Sequence, residues 1–289
     1  MKSVGDFSLD RVVESEEPLI APSDFFPESS PDVFAEHADW LQPRYVDPQS
    51  GKLVICVQSY IVRTPHHTIV VDACVGNDKD RSVFPQWHQQ QTSYLADLAA
   101  AGVQPEDVDF VMCTHLHTDH VGWNTRLQDG RWVPTFANAQ YLFARREYQE
   151  RERQLREEPE NGHVVAFADS VLPVMEAGWA VLVDSDHQIE DGVWLEAAPG
   201  HTVGNVVVNL QSGGQHAVLS GDVIHHPIQL VRPEWSSRAC EDRPQSRKTR
   251  RAFIERYADS DTLIAPAHFP SPSFGRIVSF ADRFAYHDV

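Results

Sequence analysis

Residues 108–124, VDFVMCTHLHTDHVGWN, are the stretch from which the fold can be read. They open as a short apolar run, Val108, Phe110, Val111 and Met112, set between Pro105 upstream and Gly122 downstream. That is the pattern of a buried strand. The run leads straight into His115-Leu-His117-Thr-Asp119-His120, four metal-ligating side chains in six positions. A regular strand cannot bring all four to one ion. Alternate residues of an extended segment point the same way, so His115 and His117 can share one metal. Asp119 and His120 fall where the chain turns toward a helix, and their adjacent side chains can aim at a second. The spacing predicts a two-metal cradle at the carboxyl end of a strand, where α/β folds place their chemistry.

The 289 residues suffice for one large domain or two small ones, and 42% hydrophobic residues with 14 Phe and 7 Trp can build a substantial core. Against 24 basic residues stand 42 acidic ones, a formal charge of -18. Such a surface repels phosphate backbones and anionic lipid, so neither nucleic acid nor membrane is an expected partner. Small neutral or cationic substrates fit better. Cys56, Cys74, Cys113 and Cys240 are scattered without a C-x-x-C pair, which suits reduced, buried thiols in a cytoplasmic protein. The opening MKSVGDFSLDRVVESEEPL has no apolar core or cleavage pattern, so no secretory signal is expected. No run approaches the roughly eighteen apolar residues that a membrane span needs.

Residues 1–50 are rich in Pro, Ser and acidic residues, with aromatic spots at Phe25, Phe26, Phe34 and Trp40. They read as an N-terminal arm that packs on its own domain or on the second subunit of a homodimer, ahead of a domain of residues 51–289. Strands are expected over 53–63, 68–72, 140–144, 179–183, 193–197, 206–210, 217–219 and 262–265. Helices are expected over 93–101, with Ser93 as N-cap and Gly102 as the stop, and over 145–158, 164–177 and 246–259. The 145–158 helix mixes charge signs and reads as a solvated face laced with i,i+4 pairs. The order suits a layered α/β domain.

Three further ligands follow apolar runs: His201 in Pro199-Gly200-His201-Thr202, Asp222 after Leu219-Ser220-Gly221, and His268 after Ala265-Pro266-Ala267. THLHTDH, PGHT, SGD and PAH, in this order and with these separations, resemble the metallo-β-lactamase fold superfamily over roughly residues 53–280. The resemblance implies an αββα sandwich with two metal sites. His115, His117 and His201 would hold one ion, Asp119, His120 and His268 the other, and Asp222 would bridge them. It implies two Zn²⁺ per chain, with Mn²⁺, Fe or Co²⁺ able to use the same donors. Thr114 and Asp72 resemble positions that orient ligating histidines. The implied chemistry is hydrolysis without a covalent intermediate. A hydroxide bridging cations about 3.5–4 Å apart attacks a carbonyl or phosphoryl centre, and Asp119 passes the proton to the leaving group.

Departures narrow the branch. β-Lactamases of this fold are exported and lack the bridging carboxylate, whereas Asp222 is present. Flavodiiron proteins carry Glu where this chain has His117. Nucleic-acid-processing members need basic exosites. Glyoxalase-type thioesterases show a double glycine after the motif, where Gly122-Trp123 stands here. The expected activity is hydrolysis of a lactone or carboxylic ester of a small molecule. Phosphotriester or β-lactam hydrolysis at the same site is the alternative, and an iron-dependent oxidoreductase or an inert metal scaffold stands outside that class. Acyl-homoserine lactonases resemble the chain in all seven ligands but place a Tyr three residues after the bridging Asp. His225 stands there, with His226 beside it. His225 is expected to polarise the substrate carbonyl or else to be an ordinary supporting histidine. Trp123 and Phe269 are candidate pocket walls or plain core aromatics.

Overall fold

Runs of Val, Ile and aromatic residues carry two large sheets, since β-branched side chains favour an extended backbone. The computed structural model describes residues 1–281 and 283–289. The chain divides into two compact units. The first is Met1–Glu14 with Val57–Ile189 and Ser212–Gly214; the second is Ser15–Cys56 with Glu190–Gln211 and Gln215–Val289. Residues 1–50, expected as an arm beside a domain of 51–289, thus supply Met1–Glu14 to one unit and their remainder to the other.

The sheet of the first unit runs in the order Lys2–Val4, Phe7–Ile20, Leu53–Arg63, Thr68–Val71, Phe110–Cys113, Gln140–Ala144, Ala180–Val183. Its last four strands are parallel. Val70, Val71, Val111, Met112, Leu142 and Phe143 are all buried, as in a parallel sheet covered on both faces. The Tyr94–Ala100 helix stops at Gly102, whose φ is +79°. Ser93 precedes that helix, but its hydroxyl donates to the Asp97 carboxylate at 2.6 Å and caps no backbone N–H. The helix expected over 164–177 is two helices, Gly162–Ser170 and Leu172–Glu176. Pro173, with no N–H to donate, starts the second. The Arg145–Glu157 helix does carry Arg153–Glu150, Arg153–Glu157 and Arg156–Glu152 pairs outside. Its other face buries Glu147, Arg151 and Gln154, so it is not simply a solvated helix.

The second sheet takes, in order, Gln188–Glu190, Val193–Ala197, Val206–Ser212, Gln215–Gly221, Leu263–Pro266, Gly275–Phe280 and Arg283–Asp288. Gln215–Gly221 and Leu263–Pro266 pair in parallel, and the C-terminal hairpin is antiparallel. The Arg243–Tyr257 helix lays Phe253, Ile254 and Tyr257 on Val207, Val218, Ile264 and Ile277. A second apolar cluster gathers Phe26, Leu41, Tyr45, Leu53, Ile228 and Trp235, with Phe25 and Phe34 packed against it. All four cysteines are buried, and none forms a disulfide among the described residues. No helix of the described residues is long and apolar enough to cross a membrane.

Gly122, just past the histidine motif, lies against the Val75 backbone. Its N–H donates to Cys74 O at 2.7 Å, and a Cβ would sit 1.7 Å from Val75 O. Only glycine allows that approach. Gly122→Ala is therefore expected to destabilise the chain by at least about 2 kcal/mol through overpacking. Urea unfolding measures this; an unchanged midpoint would mean that the loop can yield without cost.

Candidate metal centre

In the first unit the strand Phe110–Cys113 ends at Thr114, and Asp72 takes over its hydrogen bonding. The Thr114 N–H donates to Asp72 Oδ1 at 2.7 Å, and its hydroxyl donates to the carboxylate at 3.0–3.1 Å. A lone pair of that hydroxyl is left facing His115 Nδ1 at 3.2 Å. Asp72 adopts φ +61°, a left-handed backbone unusual for a residue with a side chain, and its Oδ2 lies 2.9 Å from His120 Nδ1. One carboxylate so braces two of the histidines. The short helix Thr118–Val121 turns Asp119 and His120 out of the strand direction. The His115 ring lies 4.6 Å from His117 and 4.1 Å from His120 between centroids. His117 stacks on His163 at 3.8 Å, and Thr118 N–H donates to His163 Nδ1 at 3.2 Å. Leu116, between His115 and His117, donates its N–H to Glu147 Oε1, which also accepts from Arg151 Nη2, both at 3.2 Å. His115, His117 and His120 are buried, while the Asp119 side chain keeps 13% of its surface.

The second unit presents the other ligands at the ends of neighbouring strands. A register shift between Leu219 and Gly221 closes the strand before Asp222, a bulge of the kind that re-aims a side chain. Asp222 Oδ2 sits 3.1 Å from His201 Nε2 and 3.2 Å from His225 Nε2, and its Oδ1 lies 3.0 Å from His268 Nε2. His268 donates Nδ1–H to the Cys56 carbonyl at 2.8 Å. His201 Nδ1 meets Cys240 Sγ at 3.4 Å. Burial lowers His201, but the Asp222 carboxylate and then Cys240 overturn it and leave the imidazole raised. Burial wins at His225, taking it down to about 4 despite the same carboxylate. His225 is packed edge-on to Phe25 at 5.5 Å and parallel to His268 at 5.9 Å. His226, also lowered by burial to about 4, donates Nε2–H to Tyr45 O and accepts from Ile228 N–H. Its bonds are to backbone on both sides.

Each unit thus gathers its own share of the expected ligands: His115, His117, Asp119 and His120 in one, His201, Asp222 and His268 in the other, with His225 beside Asp222. Buried imidazoles and carboxylates without a thiolate ligand are a donor set suited to a divalent metal ion. Trp123 is buried, stacked on Tyr94 at 5.2 Å, and donates its indole N–H to Glu14 at 2.6 Å. Phe269 is buried between Tyr45 and Tyr286. Sequence reading passed over Glu147, Arg151, His163 and Cys240. The first two, with Gln154, mark one helical face at i, i+4 and i+7, a spacing obscured because the face is polar. Nothing local distinguishes His163 or Cys240.

The chain belongs to the metallo-β-lactamase superfamily, whose family profile matches residues 57–268. It has that fold, α/β as expected. An N-acyl homoserine lactonase of Bacillus cereus is 29% identical over 161 residues, 52% of this chain and 56% of that protein. One from Bacillus thuringiensis is 23% identical over 185 residues, 58% of this chain and 64% of that protein. The chain therefore spans less than two thirds of the length of these curated relatives. Among solved structures, the dizinc quorum-quenching lactonase AidC, in complex with N-hexanoyl-L-homoserine product, superposes with TM-score 0.82 at 18% identity, covering 100% of this chain and 96% of that one. The hydrolase AbOPH superposes with TM-score 0.81 at 23% identity and the same coverage. At these identities the likeness is one of fold.

The Glu147–Arg151 pair, 1% exposed on both sides, supports the ligand loop from behind. Glu147→Leu removes the carboxylate that faces a buried guanidinium and is expected to cost about 3 kcal/mol. Chemical denaturation reads the loss, and a change below about 1 kcal/mol would place the pair among weak surface contacts.

Proposed function

We propose that this chain is a metal-dependent hydrolase that opens a lactone or carboxylic ester of a small molecule at a pair of metal ions. In this proposal His115, His117, His201 and Asp222 would hold one ion and Asp119, His120 and His268 the other, with Asp222 Oδ1 3.0 Å from His268 Nε2. Zinc is the ion assigned, since the donors are imidazole and carboxylate; Mn²⁺, Fe or Co²⁺ suit the same set. One feature common to both ligand sets supports this function above all. The protein engages Nδ1 of His115, His120, His201 and His268, which turns Nε2 toward the ligand cluster. The similarity to curated N-acyl homoserine lactonases supports a lactone as the substrate. The charge of -18 favours a neutral substrate over an anionic one.

When bound, such ions polarise a carbonyl oxygen and bring the pKa of water toward neutrality. The chain's own groups divide the remaining work. Asp119, the one ligand side chain with appreciable exposure, carries a proton from the attacking water to the leaving oxygen. His225 is neutral at its lowered pKa, and its Nδ1 is buried without a partner among the described residues. Its Nε2 stands 3.2 Å from Asp222 Oδ2 and 3.4 Å from the Ser237 hydroxyl, and in this proposal the ring polarises the substrate carbonyl. Trp123 and Phe269 support the ligand segments from behind.

The expected result of a screen over acyl-homoserine lactones, aryl esters, phosphotriesters and β-lactams is that lactones or carboxylic esters give the highest kcat/KM. Chelation should abolish turnover and zinc restore it. A leading phosphotriester or β-lactam, or activity that survives full metal removal, would overturn the assignment. His225→Ala is expected to lower kcat/KM about 10²-fold with zinc content unchanged, the loss typical of one donor to a developing oxyanion. Unaltered kcat/KM in that variant would strip His225 of the role.

A further inference from the structure

Ligating histidines ordinarily turn their far nitrogen to a carboxylate, a carbonyl or water. His201 turns it to a sulfur. Its Nδ1 lies 3.4 Å from Cys240 Sγ, on a side chain 6% exposed. The backbone builds this approach. Glu241 N–H donates to His201 O at 2.9 Å, Asp242 N–H donates to Gly200 O at 3.0 Å, and a Cβ on Gly200 would lie 2.3 Å from the Ser246 nitrogen. Gly200 also takes φ +126°, so the tight turn and the segment 240–246 are matched to each other. Cys240 is carried against the ring as a result.

The direction of each hydrogen bond around the sulfur can be worked out from the donors. Arginine can only donate. Arg250 Nη1 reaches Ser246 Oγ at 3.3 Å, so Ser246 keeps its own hydrogen for Cys240 Sγ, also 3.3 Å away. Ser237 Oγ sits 3.3 Å from Cys240 Sγ and 3.4 Å from His225 Nε2. A thiol that accepts from His201 Nδ1–H and from Ser246 has its S–H left for Ser237 Oγ. On this assignment His201 carries its proton on Nδ1, while His225 Nε2 faces the Asp222 carboxylate at 3.2 Å as well as Ser237.

We propose that Cys240 is a positioning residue that sets the tautomer of His201. It accepts from Nδ1–H and leaves Nε2 for a metal ion. This rests on the metal-dependent function proposed above. Sulfur is a weak acceptor and donor, and a serine hydroxyl can make the same bonds. Alanine and valine cannot, although valine fills the space.

Zinc affinity, measured by competition with a chromophoric chelator, tests this on the full chain and on Cys240→Ser, Cys240→Ala and Cys240→Val. ¹⁵N spectra of histidine-labelled, zinc-loaded protein report which ring nitrogen carries the proton, and melting of the metal-free protein controls for packing. We expect zinc binding to weaken about 10- to 100-fold in the Ala and Val variants, as for other lost partners of ligating histidines, and serine to restore most of it. The His201 ring resonances should shift in Ala and return in Ser. A merely structural cysteine predicts the opposite order, with Ala and Val tolerated and the buried Ser worst; that order would overturn the proposal. So would unchanged affinity and unchanged ¹⁵N shifts in Cys240→Ala. Should Val fail to fold, the Ala and Ser pair decides. A wild-type chain that binds no zinc removes the metal-dependent function itself. Two bound zinc ions held equally well by Cys240→Ala remove only the role of Cys240.

Discussion

A neutral imidazole offers one ring nitrogen to an ion and carries its proton on the other, and a partner on that proton fixes which is which; both groups of candidate ligands show this division. In the first unit the partner is a relay. Asp72 accepts from Thr114, and Thr114 in turn faces His115 Nδ1. The same carboxylate stands beside His120 Nδ1. In the second unit the partners are a backbone carbonyl for His268 and a sulfur for His201. Rings fixed in this way need little reordering when an ion arrives, so less of the binding free energy is lost to entropy.

The partners can be fixed because the ligands sit where rigid strands stop. Phe110–Cys113, buried from Val111 on, is flanked by parallel neighbours on both sides, and the His115 loop starts one residue past its end. Gln215–Gly221 and Leu263–Pro266 pair in parallel and end at Asp222 and just before His268. Within a sheet covered on both faces a charged side chain would have no compensation. At a strand end, backbone N–H and C=O groups leave the ladder and become available to side chains. The candidate ligands and their bracing partners therefore occupy the same few positions.

This explains which parts were legible in the sequence. Strands expected over 53–63, 140–144 and 193–197 have those bounds, because apolar runs that fill a sheet leave little freedom in their limits. The Phe7–Ile20 strand was missed: its Glu-rich second half breaks the alternation, and only Phe7, Leu9 and Val12 are buried. Ligands could be recognised as His or Asp at the end of such runs. Their partners could not. Cys240 lies 39 residues from His201 in sequence, and Glu147 lies 31 from Leu116. No periodicity links residues that far apart. The Arg145–Glu157 helix misled for a related reason, since charge usually marks a solvated face, whereas here Glu147 and Arg151 neutralise each other inside.

Asp222 shows why such a centre is a conditional part of the fold. Its carboxylate is 4% exposed and has imidazole nitrogens of His201, His225 and His268 at 3.0–3.2 Å. Burying that charge among polar rings costs stability unless a cation offsets it. A metal ion bound there would be coupled to the stability of these segments for this reason. The neighbouring rings then differ by what lies behind them. His201 is raised in spite of burial by the Asp222 carboxylate and then by the sulfur of Cys240, whereas burial prevails at His225, which packs edge-on to Phe25. Two histidines that meet one carboxylate oxygen are in this way set apart by what else surrounds them.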